Sequence, residues 1–292
     1  MSGFGPLVSV EWLADHLEAE GVKVIDASWR MPGEPLAYGD YLARHIPGAV
    51  FFDIDAVADR RINLPHMLAS VVQFENAVGA AGIRETDRVV VYDDQGLFSA
   101  ARVWWNFRAM GHADVAVLDG GLPAWSAEDL PLTVGEETVS AAAYQAAPNL
   151  ALAASADDVR AHIESGAENG GVNIVDARPA ERFSGAAPEP RPQLRRGHMP
   201  GAVNLPFSEL VDNGRLRPAE ELKTLFEDSG VDLNAPVITS CGSGVTAAIA
   251  SLALHVLGCR DAALYDGAWA EWGDQAHDPQ RFPVVADGQK RR

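Results

Sequence analysis

Three short motifs occur twice in this chain, in the same order and about 150 residues apart, and this repetition constrains the fold more than any other feature. Val24-Ile25-Asp26-Ala27 returns as Ile174-Val175-Asp176-Ala177. His45-Ile46-Pro47-Gly48-Ala49-Val50 returns as His198-Met199-Pro200-Gly201-Ala202-Val203. Leu118-Asp119-Gly120-Gly121, followed by Trp125, returns as Tyr265-Asp266-Gly267-Ala268, followed by Trp272. A period this long is two domains of one fold and not a stack of small repeats. The 292 residues suit two domains, each long enough to bury its own core.

The repeat places a first domain over 1–130 and a second over 155–292. Between them, 131–154 is rich in Ala, Pro, Thr and Ser without an amphipathic period, and reads as a linker that wraps the domains together. In the first copy, Arg88–Tyr92 and Val115–Leu118 read as strands around a helix over Ala101–Met110. In the second, Pro236–Thr239 and Ala262–Tyr265 flank a helix over Ala247–Leu257. This alternation predicts an α/β fold, each domain a mostly parallel sheet flanked by helices. Ligands of such sheets bind beyond the carboxyl ends of the strands.

Composition narrows the function. A formal net charge of -18 argues against nucleic acid, whose binding needs a basic surface, and against anionic membranes. Local arginines can still hold an anionic substrate. The two cysteines, Cys241 and Cys259, make no disulfide framework. Met1–Glu20 is interrupted by acidic residues and reads as no secretory leader. No apolar run is long enough to span a bilayer. The expected location is a reducing cytoplasm, and the tail Lys290-Arg291-Arg292 is expected to be disordered.

Cys241 stands where the sheet rule places a site, after a predicted strand and before Gly242-Ser243-Gly244-Val245-Thr246 and a helix. Gly242 and Gly244 are expected to adopt positive φ. The loop amides then turn inward as an anion-binding nest, the helix N-terminus adds positive potential, and both favour a thiolate. Cys259, behind the helix, is expected to pack structurally, too far from Cys241 for a disulfide. Shifting by 147 residues, the offset of the Asp-Gly motif, places Asp94 opposite Cys241. One copy carries the nucleophile and the other does not. His45 and His198, present in both copies, read as structural.

The paired domains, the His-Ile-Pro-Gly-Ala segments and the loop Cys241-Gly242-Ser243-Gly244-Val245-Thr246 together resemble the rhodanese superfamily over roughly Leu7–Gly273. The loop is similar to that of its mercaptopyruvate sulfurtransferase branch. The resemblance implies two tandem rhodanese-like domains, the second catalytic, and sulfur transfer from 3-mercaptopyruvate through a persulfide on Cys241. Pyruvate is released, and a thiol acceptor such as thioredoxin or a small thiol, or cyanide, takes the sulfur. No cofactor or metal is implied. Arg182 and Arg191 match the family's substrate-binding arginines, suited to a carboxylate and a ketone. Gly242, Gly244, Val245 and Thr246 match its binding loop. His66, Asp55 and Ser243 match a relay that assists proton movement as pyruvate leaves. Pro65 stands where the family often has an acidic residue. Arg195 and Arg196 have no family match and read as surface residues.

Three alternatives stand at this level, the last of them, a phosphatase, disfavoured by Ala247. Thiosulfate sulfurtransferases carry basic residues in the loop, whereas this loop is uncharged. A noncatalytic rhodanese-like binding module would not need the thiol. Phosphatase relatives carry an arginine six residues after the cysteine, where this chain has Ala247.

Overall fold

The computed structural model describes residues 4–169 and 173–286; the tail Lys290-Arg291-Arg292 lies outside them. In the first half, β1 (Leu7–Val8), β2 (Val22–Asp26), β3 (Ala49–Phe51), β4 (Arg88–Tyr92) and β5 (Val115–Leu118) form a five-stranded sheet in the order β1-β5-β4-β2-β3. In the second half come β6 (Ala153–Ala154), β7 (Ile174–Asp176), β8 (Val203–Asn204), the hairpin β9 (Val211–Asp212) and β10 (Arg215–Leu216), β11 (Ile238–Ser240) and β12 (Ala263–Tyr265). Its five-stranded sheet runs β6-β12-β11-β7-β8. Within both five-stranded sheets every pairing is parallel.

The strands are short apolar runs because parallel strands are covered on both faces. Val89, Val90 and Val91 are fully buried, as are Ile174 and Val175. Helices over Ala100–Ala109 and Ala247–Val256 follow the two central strands. The second shows why the sequence pattern is so uniform there: every residue from Ala247 to Leu254 is buried. Its many alanines bring the helix close to the sheet. One core gathers Val24, Val90, Tyr92, Leu118, Leu122 and Trp125; the other gathers Ile174, Ile238, Tyr265, Trp269, Trp272 and Phe282.

The duplication is exact at the level of hydrogen-bond register. Asp26 pairs with Tyr92 on one side and Phe51 on the other. Asp176 pairs with Ser240 and Asn204. The Ala27 amide donates to the Tyr92 carbonyl at 2.8 Å, and the Ala177 amide to the Ser240 carbonyl at 2.8 Å.

The chain divides into two compact units, but not as a simple succession. The first unit comprises residues up to Arg61, Leu68–Leu150 and Val211–Leu216. The second comprises Ile62–Met67, Ala151–Leu210 and the chain from Arg217 onward. Most of the segment read as a linker is bonded to the first unit. Thr133 and His45 exchange both backbone bonds, Gly135 donates to Leu42 at 2.8 Å, Ala142 to Gly79 at 2.8 Å and Asn149 to Ala109 at 2.8 Å. Its end, Ala153–Ala154, is a strand of the second sheet. The β9–β10 hairpin is held in the first unit by Asp119, which accepts the Leu216 amide at 3.0 Å. Gly96 and Gly214 also meet there, so closely that a Cβ on Gly96 would lie 2.7 Å from the Gly214 Cα.

Candidate active site

Cys241 is the first residue beyond the carboxyl end of β11, a central strand, and is 2% exposed. Its carbonyl accepts the Trp269 amide at 2.9 Å, and the Gly242 carbonyl accepts the Ala270 amide at 3.0 Å. These bonds tie the loop to the start of the helix Ala268–Trp272, where Ala268 holds φ +51°. A non-glycine residue in that region is strained, so the contact is built in at some cost.

The loop curls over the sulfur. Gly244 has φ +83° and its amide donates to Cys241 Sγ at 3.2 Å. An N–H aimed at sulfur stabilises a thiolate or a persulfide anion. Gly242, expected at positive φ, is not among the left-handed residues. It is small for a different reason: a Cβ there would lie 3.0 Å from Arg182 Nη2. Ser243 and Thr246 are half-buried and Val245 is buried.

That contact places Arg182, on the short helix Ala180–Phe183, directly over the nucleophile loop. Arg182 donates from Nε and Nη2 to Glu189 Oε2, at 3.2 and 2.5 Å. The other oxygen of Glu189 accepts from Arg178 Nη1 at 2.9 Å. Arg178 forms a two-pronged pair with Asp176, at 3.0 Å from Nε and 2.6 Å from Nη2, and lies 4.1 Å from the Trp269 ring centroid. Burial works against the Arg178 charge, and Asp176 and Glu189 outweigh it, holding its pKa above the ordinary guanidinium value. The result is a ladder of alternating charge, Asp176–Arg178–Glu189–Arg182. Its first three side chains are buried and Arg182, 21% exposed, is its outer rung.

Asp176, Arg178 and Glu189 were not singled out in the sequence. A signal was present: the repeated Asp-Ala pair is followed by Arg178 in one copy and Ser28 in the other. Arg191 is half-buried, two residues beyond Glu189, and its carbonyl accepts the Leu194 amide at 3.1 Å. Arg195 is not a free surface residue: it donates to the Trp272 carbonyl at 2.6 Å and the Gly273 carbonyl at 3.3 Å. Its guanidinium satisfies the end of the helix that abuts the nucleophile loop. Arg196 is exposed, as expected.

His66 is buried with φ +57° and belongs to the Ile62–Met67 segment of the second unit. Asp55 belongs to the first unit, where its Oδ2 accepts from Trp29 Nε1 at 2.8 Å. His45 and His198 read as structural, each donating from Nδ1 to a backbone carbonyl, that of Tyr41 and that of Phe183, both at 2.9 Å. Cys259 donates to the Leu233 carbonyl at 3.2 Å, and burial raises its pKa. Both cysteines are free.

The counterpart of Cys241 is Asp93, not Asp94. Tyr92 and Ser240 are register partners of equivalent aspartates, so the next residues, Asp93 and Cys241, match. The Leu122 amide donates to the Asp93 carbonyl at 3.0 Å, as the Trp269 amide does to Cys241. The helices that follow begin at Ala100 and Ala247, so the first loop is one residue longer. The offset of the Asp-Gly motif, which lies beyond that loop, therefore misses the strand register by one. Asp93 Oδ2 accepts the amides of Phe98, Ser99 and Ala100 at 2.7, 2.9 and 2.8 Å. The first unit thus shows this loop class gathering amides around an anion.

Among the described residues no group of three or more His, Cys, Asp or Glu side chains is placed to hold a metal ion. No helix there is long and apolar enough to cross a membrane. The rhodanese-like domain family matches residues 9–128 and 155–275. The 3-mercaptopyruvate sulfurtransferase of Escherichia coli (strain K12) is 43% identical over 93% of this chain and 96% of its own. The thiosulfate sulfurtransferase of Bos taurus is 41% identical over 92% of each chain. The crystal structure of SseA from Escherichia coli, described among 3-mercaptopyruvate sulfotransferases, superposes with a TM-score of 0.83 at 42% identity, covering 91% of this chain and all of its own.

Proposed function

This chain belongs to the rhodanese-like family, in tandem, and from that membership we propose that it is a transferase moving sulfur from 3-mercaptopyruvate to an acceptor through Cys241. The observation that carries the reading is Cys241 Sγ under the Gly244 amide with Arg182 over the same loop. Both features support a reading in which an anionic donor meets the Cys241 sulfur.

In the first half-reaction the Cys241 thiolate attacks the donor's sulfur. An S–S bond forms, the C–S bond breaks, and pyruvate leaves as its enolate. Arg182 and Arg191 hold the carboxylate and ketone. His66 and Ser243, both residues of the second unit, supply the proton the enolate needs. Asp55 belongs to the relay that the family resemblance implies. In the second half-reaction an acceptor thiolate, from a small thiol or thioredoxin, or cyanide, takes the outer sulfur and frees Cys241. A reducing cytoplasm suits a carrier that must return to a thiol.

Thiosulfate is the second reading, supported by the similarity to the bovine enzyme. The uncharged loop favours a monocarboxylate over a dianion. Two measurements test the reading. Incubation with 3-mercaptopyruvate adds about 32 Da, one sulfur atom, to the Cys241 peptide; an unmodified peptide overturns the covalent route. The ratio of kcat/KM for the two donors ranks them, and a larger value for thiosulfate overturns the donor assignment.

A further inference from the structure

The duplication leaves a cavity in the first unit where the second unit inserts one of its own side chains. In the second unit, Asp176 holds the Arg178 guanidinium, which lies on Trp269. Register makes Asp26 the counterpart of Asp176. Ser28 is the counterpart of Arg178: its amide donates to Asp26 Oδ1 at 2.9 Å, as the Arg178 amide does to Asp176 Oδ1 at 3.0 Å. Leu122 is the counterpart of Trp269, by the mirrored bonds to Asp93 and Cys241. Asp26, Ser28 and Leu122 line a cavity of about 220 Å³. The acceptor of the guanidinium is kept, while the guanidinium and the ring beneath it are gone.

The charges around the cavity leave that acceptor unmatched. Arg30 lines the cavity but is engaged by both oxygens of Asp94 and by Asp40 at 2.6 Å. Arg44, the other cation of the lining, is exposed. Against them stand three carboxylates, Asp26, Asp40 and Asp94. Asp26 is 1% exposed, and the bonds that lower its pKa come from Ser28 and Tyr92, both neutral. A buried carboxylate met only by neutral donors is poorly compensated.

We propose that this cavity binds a small organic cation with a guanidinium head, seated on Asp26 as Arg178 is seated on Asp176. A planar fork of N–H donors matches a carboxylate edge. The volume, several times the roughly 30 Å³ share of one water, leaves room for a short substituent on the head. The proposal stands apart from the chemistry at Cys241.

Methylguanidinium chloride is the probe, with sodium chloride holding ionic strength constant. Over about 1 to 30 mM, the wild-type Tm is expected to rise by a few degrees and saturate, and the Ser28 and Asp94 amide resonances to shift. Tetramethylammonium, a cation without N–H donors, is expected to do neither. Asp26→Asn removes the charged acceptor, and Ser28→Arg supplies the guanidinium within the chain; both are expected to lose the response. Should Ser28→Arg not fold, Asp26→Asn carries the comparison alone. A wild-type curve that parallels Asp26→Asn overturns the proposal, and so does an equal response to tetramethylammonium.

Discussion

Asp93 and Cys241 are one position of a duplicated fold, each the first residue off a central strand and each accepting the amide of a mirrored helix on its carbonyl. In one unit a permanent carboxylate fills the amide nest. In the other, sulfur faces it with one amide from Gly244. A carboxylate held by three amides on one oxygen, and by the Gln95 amide on the other, cannot exchange with a ligand, whereas a sulfur can lengthen into a persulfide.

Cys241→Ser is therefore expected to abolish both turnover and the sulfur adduct. Adding Asp93→Cys to it restores neither, because the first loop is a residue longer and the first copy lacks the Arg178 of the ladder. Cys259→Ser, behind the helix, keeps kcat within about twofold of wild type. Intact-protein mass spectrometry after donor addition reads all three.

Glu189→Gln is expected to raise KM for 3-mercaptopyruvate by about tenfold, on the order of 1.4 kcal/mol of lost binding, while the adduct still forms. Glu189 is the shared rung between Arg178 and Arg182, so its loss frees Arg182 to turn away from the loop. Removing one charge-assisted partner also costs about 2 kcal/mol of stability. Urea unfolding measures the second effect and steady-state kinetics the first; a lower kcat at unchanged KM contradicts the positioning role.

The two loop glycines separate conformation from space. Gly244→Ala places a Cβ at φ +83° and is expected to cost about 1–2 kcal/mol. Gly242→Ala meets only the guanidinium end of Arg182 and no backbone, so stability changes by less than about 0.5 kcal/mol while kcat/KM falls. Paired Tm and kinetic measurements on both variants distinguish the two causes.

Asp26 predicts a pH dependence. Burial raises its pKa above the ordinary 3.8, so the folded protein holds a proton that the unfolded chain has released. Stability then falls as pH rises from about 4 through the raised value, and stays lowered above it. Asp26→Asn has no such proton to lose. The stability gained by this variant over wild type is expected to grow across that window and then level off, as urea unfolding at successive pH values will show.

Much of this architecture was legible in the chain. Arg88–Tyr92 and Val115–Leu118 are strands at the bounds expected, and the helix from Ala247 differs by one residue at its end. Such buried parallel strands and an alanine-rich helix write their burial directly into composition. The position of Cys241 after a central strand was legible in the loop, and the resemblance singled out Arg182, which lies beside that loop. The Asp176–Arg178–Glu189 ladder was not, because ion pairing between residues 11 apart has no periodicity. Nor was the pairing of Asp93 with Cys241, since one inserted residue in a loop leaves the helices in phase and shifts the strands. The role expected for Gly242 had the wrong physical cause: it makes room for a guanidinium and does not turn the chain.

The placing of Ile62–Met67 in the second unit and of Val211–Leu216 in the first has a consequence for truncation. Each unit takes a segment from the other half of the chain, so no single cut of the polypeptide yields a whole unit. A chain ending at Leu150 lacks the hairpin that Asp119 holds, and one beginning at Ala151 lacks His66. Deleting the half without a nucleophile therefore removes part of the unit that carries Cys241 as well.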